Sequence, residues 1–228
     1  MTVDVAAPDR RRAGAAGTIT RRSLLAAGGI ALLPGPVRAE QRTLRVVQPW
    51  VIRDLSPGRA GHTFVKAGLT ETLVAVDDGG LPIPGLATGW RAAPDACAFQ
   101  FGLPRGVLFH DGSEMTPEAV ASCLAALVPA STAFAGLEVL SIEPAGDAVA
   151  ILLARPFAPL PALLADPSVP ILAPAAFGRS GAVERLVGTG PFVAGAVDPP
   201  FHLAVRRRRA GRDGPGGVEA GSFRSTID

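Results

Sequence analysis

Gly106-Val107-Leu108-Phe109-His110-Asp111-Gly112, running on into Met115-Thr116-Pro117-Glu118-Ala119-Val120, is the stretch that decides the reading of this 228-residue chain. Phe109 closes an apolar strand. His110-Asp111-Gly112 supplies turn chemistry, because an Asp carboxylate bonds nearby backbone amides and Gly accepts positive φ. Thr116 is placed to cap a helix with Pro117 at its first position, where a missing N–H is no loss. Glu118 falls in the first turn, where the helix dipole favours a carboxylate. Val120, Leu124 and Leu127 predict one apolar face on a helix from Pro117 to Val128, which Pro129 ends. A second stretch, Val187-Gly188-Thr189-Gly190-Pro191-Phe192, reads as a sharp backbone crossing that a Cβ would obstruct, followed by an extended segment. It lacks the Lys-Ser/Thr of a phosphate cradle.

Other stretches precede these two in a fixed order. They are Leu55-Ser56-Pro57, Glu71-Thr72-Leu73-Val74, the segment from Leu81 to Trp90, and Phe99-Gln100-Phe101-Gly102-Leu103-Pro104-Arg105-Gly106-Val107. Together, residues 43 to about 205 resemble the family 5 extracytoplasmic solute-binding proteins of ABC importers, which capture peptides, nickel complexes and related small solutes. The resemblance implies an α/β fold of the periplasmic binding protein type II kind. On that footing residues 40–205 are a first lobe with a small inserted subdomain, the second lobe is missing, and the chain reads as truncated. The implied partners are a small-molecule or peptide solute and an inner-membrane ABC permease. The resemblance implies no catalytic residue, no metal ligand and no cofactor.

Residues 1–39 read as a targeting segment. Arg21-Arg22 precede the apolar run Leu24 to Leu33, and Ala39 offers the small residue needed before a cleavage point, which predicts Tat export to the periplasm. That run is too short to span a bilayer. The formal net charge is +2, but residues 1–39 hold six Arg against two Asp, and residues 206–228 hold six Arg against three acids. The body between them is mildly acidic and has no basic stripe for nucleic acid. Residues 206–228 open with four arginines and lack apolar periodicity, so a disordered or frameshifted tail is expected there.

Along the body, alternation predicts a strand over Thr43 to Gln48 with Leu44 and Val46 inward. A helix is expected around Phe64 to Thr72, and strands near Leu73 to Val76 and Ala98 to Leu103 flanking the Asp77-Asp78-Gly79-Gly80 turn. The pair Glu138 to Glu143 and Val149 to Leu153 reads as the inserted subdomain. A short helix from Leu160 to Ala165, a buried strand Ile171-Leu172-Ala173-Pro174, and extended segments at Phe192-Val193 and His202 to Val205 follow. With the second lobe missing, Ile171 and Leu172 are expected to be poorly covered. Cys97 and Cys123 fit neither metal nor Cys-x-x-Cys redox spacing, which leaves a bridge or two free thiols.

By the resemblance, Gly58 to Phe64 corresponds to a cleft-lining loop, and Phe134 lies near an aromatic contact of the nickel branch. The candidate ligand-binding residues are therefore Arg59, His62, Phe64 and Phe134, while His110 and Asp111 read as a corner. Pro170 stands where the nickel branch tends to carry Arg, so a peptide or another small solute fits as well. Two other readings compete: a Tat-exported enzyme and a non-functional gene fragment. Against the enzyme, His62, His110 and His202 show no ligand spacing, no Gly-x-Ser-x-Gly elbow occurs, and Tyr is absent.

Overall fold

The computed structural model describes residues 3–4, 43–48, 52–198, 202–208 and 220–225. In chain order the first elements are β1 (Val3–Asp4), β2 (Thr43–Gln48), α1 (Pro57–Lys66), β3 (Val74–Val76) and β4 (Pro82–Pro84). Next come β5 (Gly89–Ala92), β6 (Ala98–Gly102), α2 (Pro117–Leu127), β7 (Val139–Ala145), β8 (Ala148–Leu153) and α3 (Leu160–Leu163). Strands β9 (Phe192–Asp198), β10 (His202–Arg207) and β11 (Ala220–Ser225) close the sequence of elements. The fold is mixed α/β, with two sheets that each cover a separate apolar core.

The larger core lies under an antiparallel sheet of order β5-β6-β8-β7. Alternation sends Phe99, Phe101, Val149, Ile151 and Leu153 to the buried face. Helix α2 covers that face. Its start is as the sequence predicts: Thr116 Oγ1 accepts from the Ala119 amide at 3.2 Å, Pro117 follows, and Val120, Leu124 and Leu127 are buried. The Glu118 carboxyl is held below its usual value, first by its own backbone amide and then by the Thr116 hydroxyl. The β7–β8 pair is part of this four-stranded sheet, joined to β6 through β8.

The smaller core gathers Val46, Ile52, Phe64, Leu69, Leu203 and Phe223 beneath a five-stranded sheet of order β1-β2-β11-β10-β9. Strand β2 has the expected bounds, with Val46 buried and Arg45 and Val47 exposed. The sequence places the first helix at Phe64 to Thr72, yet α1 ends at Lys66. The reason is a Schellman closure: Gly68 has φ +65°, its amide donates to Val65 O at 2.9 Å, and Leu69 N donates to Phe64 O at 3.0 Å. At the other end, Pro57 and the Asp54 carboxylate, which accepts from Ser56 N at 2.9 Å, start the helix earlier than its glycines suggest.

Four further expectations are corrected. The partner of β3 across the Asp77–Gly80 turn is β4, not Ala98–Leu103. Prolines are tolerated in β4 because Asp77 N→Leu81 O and Gly85 N→Leu73 O set the register, and Pro82 and Pro84 fall in the non-hydrogen-bonded pairs between. Ile171 and Leu172, expected to be poorly covered, are fully buried. They form one bridge, Glu71↔Ile171, and not a strand, because the Leu172 amide is taken by Cys123 Sγ at 3.2 Å and the Ala173 amide by Val187 O at 2.9 Å. In the stretch read as a disordered or frameshifted tail, Arg206 and Arg207 belong to β10 and residues 220–225 form β11. Strand β11 pairs with β10 on one side and in parallel with β2 on the other, and Phe223 is buried in the smaller core. Residues 209–219 lie outside the described ones, as does the twin-arginine segment. Cys97 and Cys123 are both free thiols.

Candidate functional site

The two sequence stretches that read as separate turns meet where the two cores touch. In the first, Asp111 Oδ1 accepts from the Ser113 amide at 3.0 Å and from its hydroxyl at 2.6 Å, and Gly112 takes φ +87°. This corner presents His110 to the second stretch. The His110 amide donates to Gly188 O at 2.9 Å, the Gly188 amide donates to Nδ1 at 3.3 Å, and Nε2 bonds Gly190 O at 2.9 Å.

The glycines of the second stretch are there for close approach. A Cβ at Gly188 or Gly190 would overlap the carbonyl oxygen of Leu69 or Gly68. Phe192 N donates to Gly68 O at 3.0 Å, and the Thr189 hydroxyl donates to Glu71 Oε2 at 2.8 Å. Arg208, just past β10, completes the junction. Its amide donates to Pro191 O at 2.8 Å, and its guanidinium donates to Leu108 O at 2.9 Å and Phe109 O at 2.7 Å.

Beside this junction is a concavity of about 440 Å³. Leu55, Leu186, Val187 and Val193 supply its apolar surface, and His110, Asp111, Glu184 and Arg185 its polar groups. Burial pulls the His110 imidazole below its ordinary value against the opposing pull of the Gly190 carbonyl. Desolvation pushes the Asp111 carboxyl up, but the Ser113 bonds and the Arg185 charge outweigh it and hold the group low. An apolar floor with both charge signs at its edge can take a small solute that carries both. Among the described residues, no group of three or more His, Cys, Asp or Glu side chains lies close enough to hold a metal ion.

The four residues named from the resemblance sit elsewhere. Gly58–Phe64 is part of α1 and not a loop. On that helix Arg59 is 70% exposed and pairs with Asp54 at 2.6 Å, His62 is exposed, and Phe64 is fully buried in the smaller core. Phe134 is buried in the larger core, beside a separate concavity of about 570 Å³ formed by residues 128–139. The structure brings together His110 and Asp111 instead. Glu184, Arg185 and Arg208 escaped the sequence reading. The first two stand one residue ahead of the second motif, whereas Arg208 is hidden in a run of four arginines.

Residues 82–208 match the bacterial extracellular solute-binding proteins, family 5 middle. No curated protein matches the chain in sequence. Among solved structures, the chain is similar to a nickel ABC transporter from Bacillus halodurans, with 28% identity and a TM-score of 0.71 over 81% of this chain and 38% of that one. It is similar to NikA from Staphylococcus aureus in complex with Ni(L-His)2, at 20% identity and TM-score 0.70, over 82% and 39% of the two chains. It is also similar to the periplasmic binding protein DppA from Helicobacter pylori in complex with the peptide STSA, at 20% identity and TM-score 0.68, over 80% and 42%. At 20% identity, the last two likenesses speak to the fold alone. The chain spans about two fifths of the length of these structures.

Proposed function

Given that the chain belongs to the bacterial extracellular solute-binding proteins of family 5, we propose that it serves as the capture component of an ABC importer, exported by the twin-arginine route to the periplasm. Its solute is a peptide, a nickel complex or a similar small molecule, which it delivers to an inner-membrane permease. The observation that carries this reading is the cleft at the junction, where an apolar floor is edged by Asp111, Glu184 and Arg185. Such a floor takes the apolar part of a solute, while the edge charges pair with the ends of a zwitterion.

Capture in this mode needs no chemistry; it needs closure around a preformed cleft. The concavity is open to solvent among the described residues, so part of a bound solute faces water. Losing about 4 kcal/mol in this way turns a micromolar site into a millimolar one. Titration of the chain from Glu40 with short peptides and with nickel-histidine, followed by amide NMR shifts, tests the proposal. Weak binding with shifts centred on Asp111, Arg185 and Gly188 is expected. Shifts centred on Arg59 and His62 would move the site to α1, and no shift with solute on the order of 10 mM would overturn the reading. For export, Arg21→Lys with Arg22→Lys is expected to strand the precursor in the cytoplasm.

A further inference from the structure

Both ring nitrogens of His110, a half-buried residue, are committed to one loop: Nδ1 to the Gly188 amide and Nε2 to the Gly190 carbonyl. An amide N–H can only donate and a carbonyl can only accept. The geometry therefore requires the neutral imidazole with its hydrogen on Nε2. A proton added at Nδ1 sets donor against donor and abolishes the Gly188 bond.

We propose that His110 is a proton-sensitive latch between the 106–116 corner and the 186–192 crossing, closed while the imidazole is neutral and released when it is protonated. The backbone bond from His110 N to Gly188 O survives protonation, so release loosens the junction without unfolding it. The charged groups around the ring come from every side of the junction. Asp111 on the same corner is already bonded to Ser113, and Glu184 and Arg185 stand just ahead of the crossing segment. Glu71 holds Thr189 between the two glycines, and Arg208 reaches in from just past β10 to the Leu108 and Phe109 carbonyls.

Arg208 disfavours a further positive charge, and Asp111 favours it. The net direction is downward: burial dominates, Arg208 adds to it, and the Gly190 and Leu186 carbonyls and Asp111 oppose it in part. The folded value thus lies below the unfolded one. The latch contributes its full stability above about pH 6.5 and loses it as pH falls through the folded value. The cleft beside it is consequently held firm at neutral pH and freed in acid. This regulates the cleft proposed above, but it is read from the fold without solute, so the latch and the binding reading fail separately.

The test uses the full chain, nitrogen-15 labelled and without solute. Ring nitrogen resonances of His110 and exchange of the Gly188 amide are followed from about pH 8 to about pH 5, the range in which histidine titrates. The Nε2–H tautomer is expected at neutral pH, with titration below about 6.5, the ordinary histidine value. Between the titrations of the released and the latched ring, opening at Gly188, corrected for intrinsic exchange, is expected to grow about tenfold per pH unit. In His110→Gln, which keeps a donor for Gly190 and cannot titrate, opening stays flat with pH. An Nδ1–H tautomer, titration at or above the ordinary value, or unchanged Gly188 protection across the window would overturn the proposal. If His110→Gln fails to fold, the titration of the unaltered chain decides alone.

Discussion

The two cores use similar residues but draw them from the chain differently. The larger takes its buried residues from Leu73 to Val187, a single uninterrupted stretch, and every pair in its sheet is antiparallel. The smaller takes Val46 to Leu69 and then Leu186 to Phe223, and its central pair, β2 with β11, is parallel. The chain therefore enters the smaller core, leaves to build the larger, and returns. The outward pass at Gly68–Thr70 and the return pass at Gly188–Gly190 press against each other, which is why glycine is needed where they touch. The β6–β8 pairing of the larger core joins residues about fifty apart, whereas β2 and β11 of the smaller join residues more than three times as far apart, so the smaller closes against the greater loop entropy.

Removing residues 209–228 is the most severe way to break this comparison. Without β11, strands β2 and β10 lose their shared partner and Phe223 leaves the core. Amides of Val46 and Val205 are expected to lose exchange protection while those of Phe101 and Val149 keep it. Equal loss at all four would show that the cores are one cooperative unit.

Next in size is Gly190→Ala, whose Cβ would meet the backbone of Gly68, where no side chain can yield. A destabilisation of about 3 kcal/mol, read from the urea midpoint, is expected because overpacking here must shift the backbone. Gly112→Ala meets nothing within 4 Å, so it isolates the strain of φ +87°. About 1 kcal/mol is expected by the same measurement; a loss as large as that of Gly190→Ala would mean the corner itself carries the junction.

The gentlest probe leaves stability unchanged. Burial pushes the Cys123 thiol up to about 12, and Pro170 O and Leu172 N engage its sulfur. Cys97 is half-buried. Burial and the Asp95 charge push the Cys97 thiol up as well, so an alkylating reagent at mildly basic pH is expected to modify Cys97 slowly and Cys123 only when the larger core opens, since the thiolate is the nucleophile. Equal rates would contradict the tight packing assigned to that core.

The same contrast explains what the sequence could and could not disclose. Helix α2 was legible because its cap, its proline and its apolar face are all local, and β2 because it alternates. Helix α1 was misplaced because Gly58 and Gly61 are poor helix formers. Gly61 is required by a distant contact, since a Cβ there would overlap the Pro167 carbonyl oxygen. Strand β11 has no strong pattern of its own, and its position comes from partners far away in sequence. In the site, His110 was legible as part of a corner. Its bonds to Gly188 and Gly190 were not, because they span about eighty residues.

Strand β11 also imposes an order on how the molecule comes into being. A polypeptide emerges from the ribosome starting at its amino terminus, and domains whose pieces are complete fold first. All buried members of the larger core are present once Val187 has appeared, whereas β2 and β10 meet only through residues 220–225. During synthesis the chain thus passes through a stage with one finished half and one half whose strand edges remain open. Release from chaperones that read such edges is expected to follow the delivery of β11.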